Sequence, residues 1–263
     1  MAAARPSEDQ TVNGVLAVWN NCAPGANEAY ERWYRTEHLP ERMGIAGFLE
    51  GRRYIHMDGA NAPASALRPR YFTWYALTSA AVLERAAYQA RIEAPTPQTT
   101  YIMRDVFKDM IRAAMVRTVH REGPLGGFAV VARAGSGEAA ARLDALFDVI
   151  AGRDEVCAAA LWRHAHAVPE GAPPTSARRR PSAEERLRGG DRTVAAAALF
   201  ETLSAPEATA LIRAIERLIE GAAQGAADGP PAANLDSDPA PRDTSDCRVD
   251  GYQLMCRAGP AQP

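Results

Sequence analysis

Apolar positions in the first half of the chain predict four strands and two helices. Short apolar or aromatic runs are typical of strands, whereas apolar residues spaced three and four apart are typical of helices. The segments alternate as β-α-β-β-α-β, which is the ferredoxin-like plan. Their predicted ranges are 14–22, 27–38, 48–57, 71–77, 79–91 and 110–119, with Asn27 as the N-cap of the first helix.

The second half repeats the same order. Its predicted segments are 127–134, 137–151, 156–167, 194–203, 206–220 and 249–257. A four-stranded sheet with helices on one face leaves its other apolar face bare, and that face needs a partner. The sequence therefore predicts an α+β fold, in which two tandem ferredoxin-like βαββαβ repeats pack their antiparallel sheets into an intramolecular α/β barrel.

Composition shifts suggest the domain boundaries. We expect a disordered N-terminus over 1–11, a first repeat over 12–122 and a second, degenerate repeat over 123–259. Polar, Pro/Gly/Ala-rich stretches near 169–192 and 221–246 cannot bury much apolar surface, so mobile loops are predicted there.

Charge and cysteine content narrow the function classes. The chain has 30 basic and 32 acidic residues, so it lacks a whole-protein field for nucleic acid or anionic membranes. It has no signal-peptide core and no apolar run of ~20 residues, and we expect a cytoplasmic protein. Its four cysteines form no CxxC pair, which favours free thiols.

The most informative segment reads WYRTEHLPER and places His38 two residues before Pro40. The proline is expected to end the helix there and to fix the imidazole at a helix terminus. With an ordinary pKa near ~6.5, histidine suits general acid/base work, and Glu37 or Tyr34 is expected to set its tautomer. The alternative is a structural histidine that caps the helix carbonyls and interacts favourably with the helix dipole.

Polar and aromatic residues on the strands supply further candidates. Trp19, Asn20 and Asn21 interrupt the first strand, and the two asparagines either line a polar pocket or mark the solvated end of the strand. On the second strand, Arg53 or Tyr54 is a candidate to hold a carboxylate or enolate oxygen. Alternatively, Arg52 and Arg53 are charges at a strand edge that prevent pairing with another chain. On the third strand, Tyr71 and Tyr75 are either packing residues or hydrogen-bond donors to a substrate carbonyl.

Metal binding is not predicted. His164 and His166 lie two apart on a predicted strand, which can suit a metal, but no third ligand is evident. No HExxH or Cys/His cluster and no phosphate-binding glycine loop occurs in the sequence.

Together, these residues resemble the dimeric α/β-barrel superfamily. The pattern Trp33-x4-His38-x-Pro40, followed by Gly47-Phe48 and Arg52-Arg53-Tyr54, is similar to its EthD-like and methylmuconolactone-isomerase-like branches over about 12–119. The second half has no equivalent of the tryptophan, histidine and proline. The segment ending in Asp58-Gly59 begins with Ile55, so it lacks the leading glycine of the dye-decolourising peroxidase motif.

The resemblance implies a histidine in a pocket between helices and sheet. It also implies a cofactor-independent isomerase, cyclase, decarboxylase or related lyase that acts on an aromatic, lactone or polyketide-like carbonyl compound. The expected catalytic residues are His38, Tyr34, Arg53 and Tyr71. The expected substrate-binding residues are Trp19, Asn20, Trp33, Tyr54, Trp74 and Tyr75.

Two other functions are consistent with the resemblance. Related barrels include cofactor-free and haem-linked oxygenases that use asparagine, tryptophan and histidine together, a set that Asn20, Trp74 and His38 would supply. A non-catalytic ligand-binding barrel is the third possibility. For the leading function we expect no metal or haem, a small-molecule substrate, no nucleic-acid or membrane partner, and either a monomer built as an internal pseudo-dimer or a homodimer.

Overall fold

The computed structural model describes residues 11–59, 65, 67–165, 180–225 and 246–260, and the side chains of 223–225 are excluded. Eight strands form one closed antiparallel barrel. The strands are β1 Gly14–Cys22, β2 Phe48–His56, β3 Tyr71–Leu77, β4 Phe107–Arg121, β5 Phe128–Ala134, β6 Ala158–His164, β7 Ala196–Thr202 and β8 Cys247–Ala258.

The strand order around the barrel confirms the predicted fold class. It runs β1-β3-β2-β8-β5-β7-β6-β4, so each half of the chain has the internal order 4-1-3-2 of a ferredoxin-like sheet. Antiparallel pairing of β2 with β8 and of β4 with β6 joins the two sheets. The apolar faces that one sheet alone would expose therefore face each other inside the barrel.

Seven α-helices lie outside the strands of the described chain. They are α1 Asn27–Trp33, α2 Leu39–Met43, α3 Ala86–Glu93, α4 Pro97–Tyr101, α5 Gly137–Ala151, α6 Ala183–Arg188 and α7 Ala205–Gly225. A 3-10 turn over Ala80–Glu84 precedes α3, and π turns occupy Tyr34–His38 and Ile102–Val106. None of the described helices combines the length and apolarity that a bilayer crossing requires.

Side-chain alternation along the strands divides the core into layers. On β1, Val15, Ala17 and Trp19 point into the barrel and join its interior cluster. Leu16 points the other way and packs under the helices of the first half. In the second half, α5 and α7 pack on their sheet through a separate cluster that is rich in alanine.

The helix that carries His38 does not end where the sequence predicts. Residues 27–43 form one continuous helical segment, in which the π turn joins α1 to α2. The Leu39 N–H donates to the Tyr34 carbonyl, five residues back, and Leu39 keeps helical backbone angles. A π turn widens the helix, and this accommodates Pro40, whose ring would otherwise crowd the preceding turn. The prediction that the proline places His38 at a helix terminus is therefore wrong.

Other local predictions also need adjustment. Asn27 is the first residue of α1 rather than its N-cap, and its side-chain oxygen accepts hydrogen bonds from Cys22 and Arg70. Within the stretch predicted as a loop near 169–192, α6 forms a helix with a Ser182/Glu185 capping box. Residues 221–225 extend α7. Residues 169–179 and 226–245 of the predicted loops, His166 and residues 1–10 lie outside the described residues.

The cysteines are free thiols, as predicted. Cys22 is buried, Cys157 and Cys247 are partly exposed, and Cys256 is exposed.

Candidate active site

A cavity of about 730 Å³ lies between the outer face of the first-half sheet and the helices above it. Leu16, Val18 and Tyr75 form part of its sheet side. Helix α6 belongs to the second half of the chain, yet several of its residues border this cavity and cover it from the side. The polar groups of the cavity wall that matter below are Tyr34, His38, Arg42, Tyr75, Tyr88 and Arg112.

His38 borders the cavity from the π turn. Its ring centroid lies 4.4 Å from that of Trp33 and 5.1 Å from that of Tyr34. Its Nδ1 atom is buried and has no hydrogen-bond partner among the described residues. Burial lowers the pKa of His38 well below its usual range, and the positive charges of Arg42, Arg53 and Arg188 lower it further. The imidazole is therefore neutral at physiological pH.

The groups expected to orient His38 lie elsewhere. The Glu37 carboxylate accepts hydrogen bonds from the Thr96 and Thr99 hydroxyls, the latter at 2.6 Å. Tyr34 contacts the imidazole with its ring, while its hydroxyl is engaged with Tyr75. The expected tautomer-setting hydrogen bond is thus wrong for both. The capping alternative is also wrong, because the helix continues past His38.

Tyr34 and Tyr75 form a pair of phenols on the cavity wall. Their hydroxyl oxygens are 2.7 Å apart, so one donates a hydrogen bond to the other. Burial raises the pKa of Tyr34 and raises that of Tyr75 well above its usual range. Both phenols therefore stay protonated at neutral pH, and the one that accepts within the pair keeps its own O–H free to donate to a substrate oxygen.

Arg53 and Tyr71 support the site from behind rather than lining it. The Arg53 guanidinium lies over the Tyr34 ring at 4.2 Å and over the Tyr71 ring at 4.7 Å. It also donates twice to the Glu31 carboxylate, at 2.6 and 2.9 Å. Neither Arg53 nor Tyr71 borders the cavity. Direct contact of these two residues with a cavity ligand, as the sequence predicts, is not supported.

Three expected substrate-binding residues point away from the cavity. Trp19, Tyr54 and Trp74 lie inside the barrel, on the opposite face of the sheet from His38. The side chain of Asn20 is buried, and its oxygen accepts from the Tyr30 hydroxyl at 3.0 Å. The asparagine, tryptophan and histidine set proposed for an oxygenase is therefore not assembled.

Trp33 is next to the site without lining it. Its indole N–H donates to the Thr99 hydroxyl at 2.9 Å, while its ring packs on His38. It positions the imidazole rather than binding a ligand.

Several site residues were not predicted from the sequence. Arg42 donates to the Glu184 carboxylate of α6 at 2.8 Å, and both side chains are buried. Arg112 donates to the Tyr88 hydroxyl at 3.1 Å. The SAEE capping box of α6 is a helix signal that sequence reasoning could have used, but nothing local indicates that α6 lies on this cavity.

The described residues of the site provide few ligands for a metal ion. No group of three or more His, Cys, Asp or Glu side chains within the described ranges could hold an ion. A single imidazole suffices as an axial haem ligand. The Nδ1 atom of His38 is buried in the protein, so only its other ring nitrogen, Nε2, could take that role.

Comparisons with known proteins give a fold but no family. No protein-family model matches the sequence, and no curated protein is significantly similar to it. An anthrone oxidase-like protein of known structure aligns with a TM-score of 0.52 at 10% identity, over 98% of this chain and 97% of that one. At this identity the likeness establishes a shared barrel fold along the chain.

Two other solved structures align over similar lengths. A candidate monooxygenase from Fusobacterium nucleatum subsp. nucleatum has a TM-score of 0.48 at 9% identity, covering 96% of this chain and 97% of that one. A second candidate monooxygenase, from Lactobacillus acidophilus, has a TM-score of 0.47 at 7% identity, covering 95% and 97%.

Proposed function

We propose that the protein is a small-molecule enzyme that removes a proton from carbon next to a carbonyl group of an aromatic or polyketide-like compound. The observation that carries this proposal is the neutral imidazole of His38 on the wall of a cavity that also presents a hydrogen-bonded phenol pair. A base and an oxyanion donor in one apolar pocket are the two groups that enolate formation needs.

In the proposed step, the substrate C–H proton moves to His38 and the electron pair moves to the carbonyl oxygen. The imidazole becomes an imidazolium, and the enolate oxygen accepts a hydrogen bond from Tyr34 or Tyr75. Desolvation disfavours the lone imidazolium, but the enolate beside it supplies a compensating negative charge.

Two reaction classes share this step. Reprotonation of the enolate at another carbon gives an isomerase, its attack on a second carbonyl of the same molecule gives a cyclase, and expulsion of a leaving group gives a lyase. These are the classes that the resemblance to the dimeric α/β-barrel superfamily implies. Reaction of the enolate with O2 gives a cofactor-free oxygenase, the second candidate. For an anthrone, the balanced oxidation takes up one O2 and releases one water as the anthraquinone forms. The description of one structural neighbour as anthrone oxidase-like makes anthrone a suitable first probe.

The test separates proton transfer from oxidation. Anthrone is incubated with the protein in deuterated buffer under argon, and loss of the methylene proton signal is followed by NMR. Oxygen uptake is then measured in air with an electrode. We expect protein-dependent exchange under argon, with oxygen uptake only if the oxygenase class is correct.

The matched variants are His38→Ala and His120→Ala. His120 is an exposed histidine on β4 that does not border the cavity. We expect His38→Ala to lose exchange by about 100-fold or more and His120→Ala to retain it. Equal exchange rates in both variants would refute the role of His38 as the base. Tight binding of anthrone without any exchange would favour the non-catalytic ligand-binding alternative.

We further propose that the chain functions as a monomer. Each ferredoxin-like sheet covers its apolar face with the other sheet of the same chain, so a second copy is not needed for that purpose. Light scattering coupled to size exclusion tests this, and a dimer mass would contradict it.

A further inference from the structure

Among the described residues, Arg112 is the arginine of the cavity wall that has no carboxylate within ion-pair distance. Arg42 is neutralised by Glu184 and Arg188 by Asp191, each at 2.8 Å. The Arg112 side chain donates only to the Tyr88 hydroxyl, and within the described chain no carboxylate lies close enough to form an ion pair with it.

The remaining nitrogens of this guanidinium face accessible space. Nε and Nη1 of Arg112 make no hydrogen bond to the described residues, yet neither belongs to the fully buried unpartnered atoms. Because Arg112 borders the cavity, these N–H groups are open to a ligand there. Nη2 has a second N–H besides the one that it donates to Tyr88, and together with Nε or Nη1 it matches the planar, bidentate geometry of a carboxylate.

The acidic residues of the cavity wall are otherwise engaged. Glu185 accepts the Ser182 backbone N–H in the capping box at 2.7 Å, and Asp191 binds Arg188. Glu84 also borders the cavity and has a partner of its own. Asp191 and Glu185 lie close enough to raise the pKa of Arg112 through their charge, but no described carboxylate contacts its guanidinium directly.

Strand register sets the distance from Arg112 to the phenol pair. Arg112 on β4 pairs with Val18 on β1, and Leu16 on β1 pairs with Tyr75 on β3. The two residues thus stand on the same outer face, two strands apart and two residues apart along the strand direction, which corresponds to ~12 Å between their backbones. A molecule of three fused rings spans this separation.

We infer that Arg112 and Tyr88 form a subsite for a carboxylate, and that the substrate is an aromatic carbonyl compound with an acidic group at the end remote from the reacting carbon. The inference rests on the proposed function for the placement of the carbonyl at Tyr34 and Tyr75. The subsite itself rests only on the geometry of Arg112.

The test compares two ligands of the same shape. Binding of anthraquinone-2-carboxylate and of its neutral primary carboxamide is measured at pH 7.5 by quenching of tryptophan fluorescence. We expect the wild-type protein to bind the carboxylate at least 10-fold more tightly. Arg112→Gln should weaken carboxylate binding by about 10- to 100-fold and leave the carboxamide within about threefold.

Further variants control for folding and for non-specific charge. Tyr88→Phe removes one hydroxyl and should weaken the carboxylate by a few-fold, and Arg112→Lys should retain part of the preference. Arg121→Gln is the matched control, because Arg121 is an exposed arginine of the same strand outside the cavity. It should leave both affinities unchanged.

Three outcomes would overturn the subsite. In the first, the wild-type protein binds the carboxylate and the carboxamide with equal affinity. In the second, Arg112→Gln weakens the binding of both ligands equally. In the third, neither ligand binds. A different outcome would refute the proposed catalysis and leave the subsite intact. In that outcome the protein still prefers the carboxylate, but anthrone exchange does not depend on His38.

Discussion

The buried ion pair between Arg42 and Glu184 is expected to hold helix α6 on the cavity. Glu184→Gln keeps the size of the side chain and removes its charge. The change removes the charge attraction to Arg42 at 2.8 Å and to Arg188 at 3.7 Å, and it leaves only a neutral amide oxygen as an acceptor. All three side chains are at most 6% exposed, so water cannot replace what is lost.

The expected loss of stability depends on the groups that still contact Arg42 after the change. Removing one partner of a buried pair typically costs ~3–5 kcal/mol, because the other charge stays buried. Arg42 keeps a second carboxylate, Glu41 at 3.5 Å, and lies over the Tyr88 ring at 5.4 Å. We therefore expect a loss of about 2–3 kcal/mol.

This loss should be local rather than global. Helix α6 has six residues and few apolar contacts, so releasing it is easier than unfolding the barrel. Hydrogen exchange of the backbone over 183–188 should accelerate by about 30- to 150-fold, the ratio that corresponds to ~2–3 kcal/mol.

Mass spectrometry of hydrogen exchange measures this directly, with denaturant unfolding as the global readout. Glu138→Gln serves as the control, because Glu138 pairs with Arg142 on an exposed helix surface, where such pairs contribute little. Unchanged exchange over 183–188, together with unchanged global stability, would refute the role given to the ion pair.

Three further predictions concern single positions. Tyr34→Phe leaves the Tyr75 hydroxyl buried without its 2.7 Å partner and should cost about 1–2 kcal/mol in thermal denaturation, with slower anthrone exchange. Because the pKa of His38 is lowered in the folded protein, the unfolded chain binds more protons below pH ~6.5, so stability should fall as the pH drops through that value. Urea unfolding at pH 7 and pH 5 should show a smaller fall for His38→Ala, and an equal fall would contradict the buried neutral imidazole. Gly14→Ala would place a methyl group against the backbone of Ala80 and should destabilise the protein by about 1–3 kcal/mol, and unchanged urea unfolding would contradict the close approach.

The sequence predicted the elements well wherever periodicity alone decides them. The predicted ranges 14–22, 71–77 and 137–151 coincide with β1, β3 and α5. Strand alternation also separated Tyr71 and Tyr75 from Trp74 correctly. It could not show which face lies inside the barrel, because both faces of β3 are buried and aromatic. Trp74 was therefore expected in the site and lies in the interior.

Tertiary contacts decide the remainder of the site. The π turn at Tyr34–His38 has no marker in local propensity, so Pro40 was interpreted as a helix end. Arg112 and Tyr88 meet only because β1 pairs with β4 and α3 packs above them. Helix α6 reaches the cavity from a distant part of the chain through one buried ion pair. Long-range pairings of this kind are not visible in a window of neighbouring residues.

The position of β8 makes barrel closure a late event during synthesis. This strand follows every other described strand in the chain, yet it lies between β2 and β5 and pairs with both. Until it emerges from the ribosome, β2 has an open edge and the interior around Trp19 and Trp74 is accessible to water. The nascent protein therefore presents an unpaired strand edge from the synthesis of β2 until that of β8, and chaperone capture during that interval is the expected safeguard.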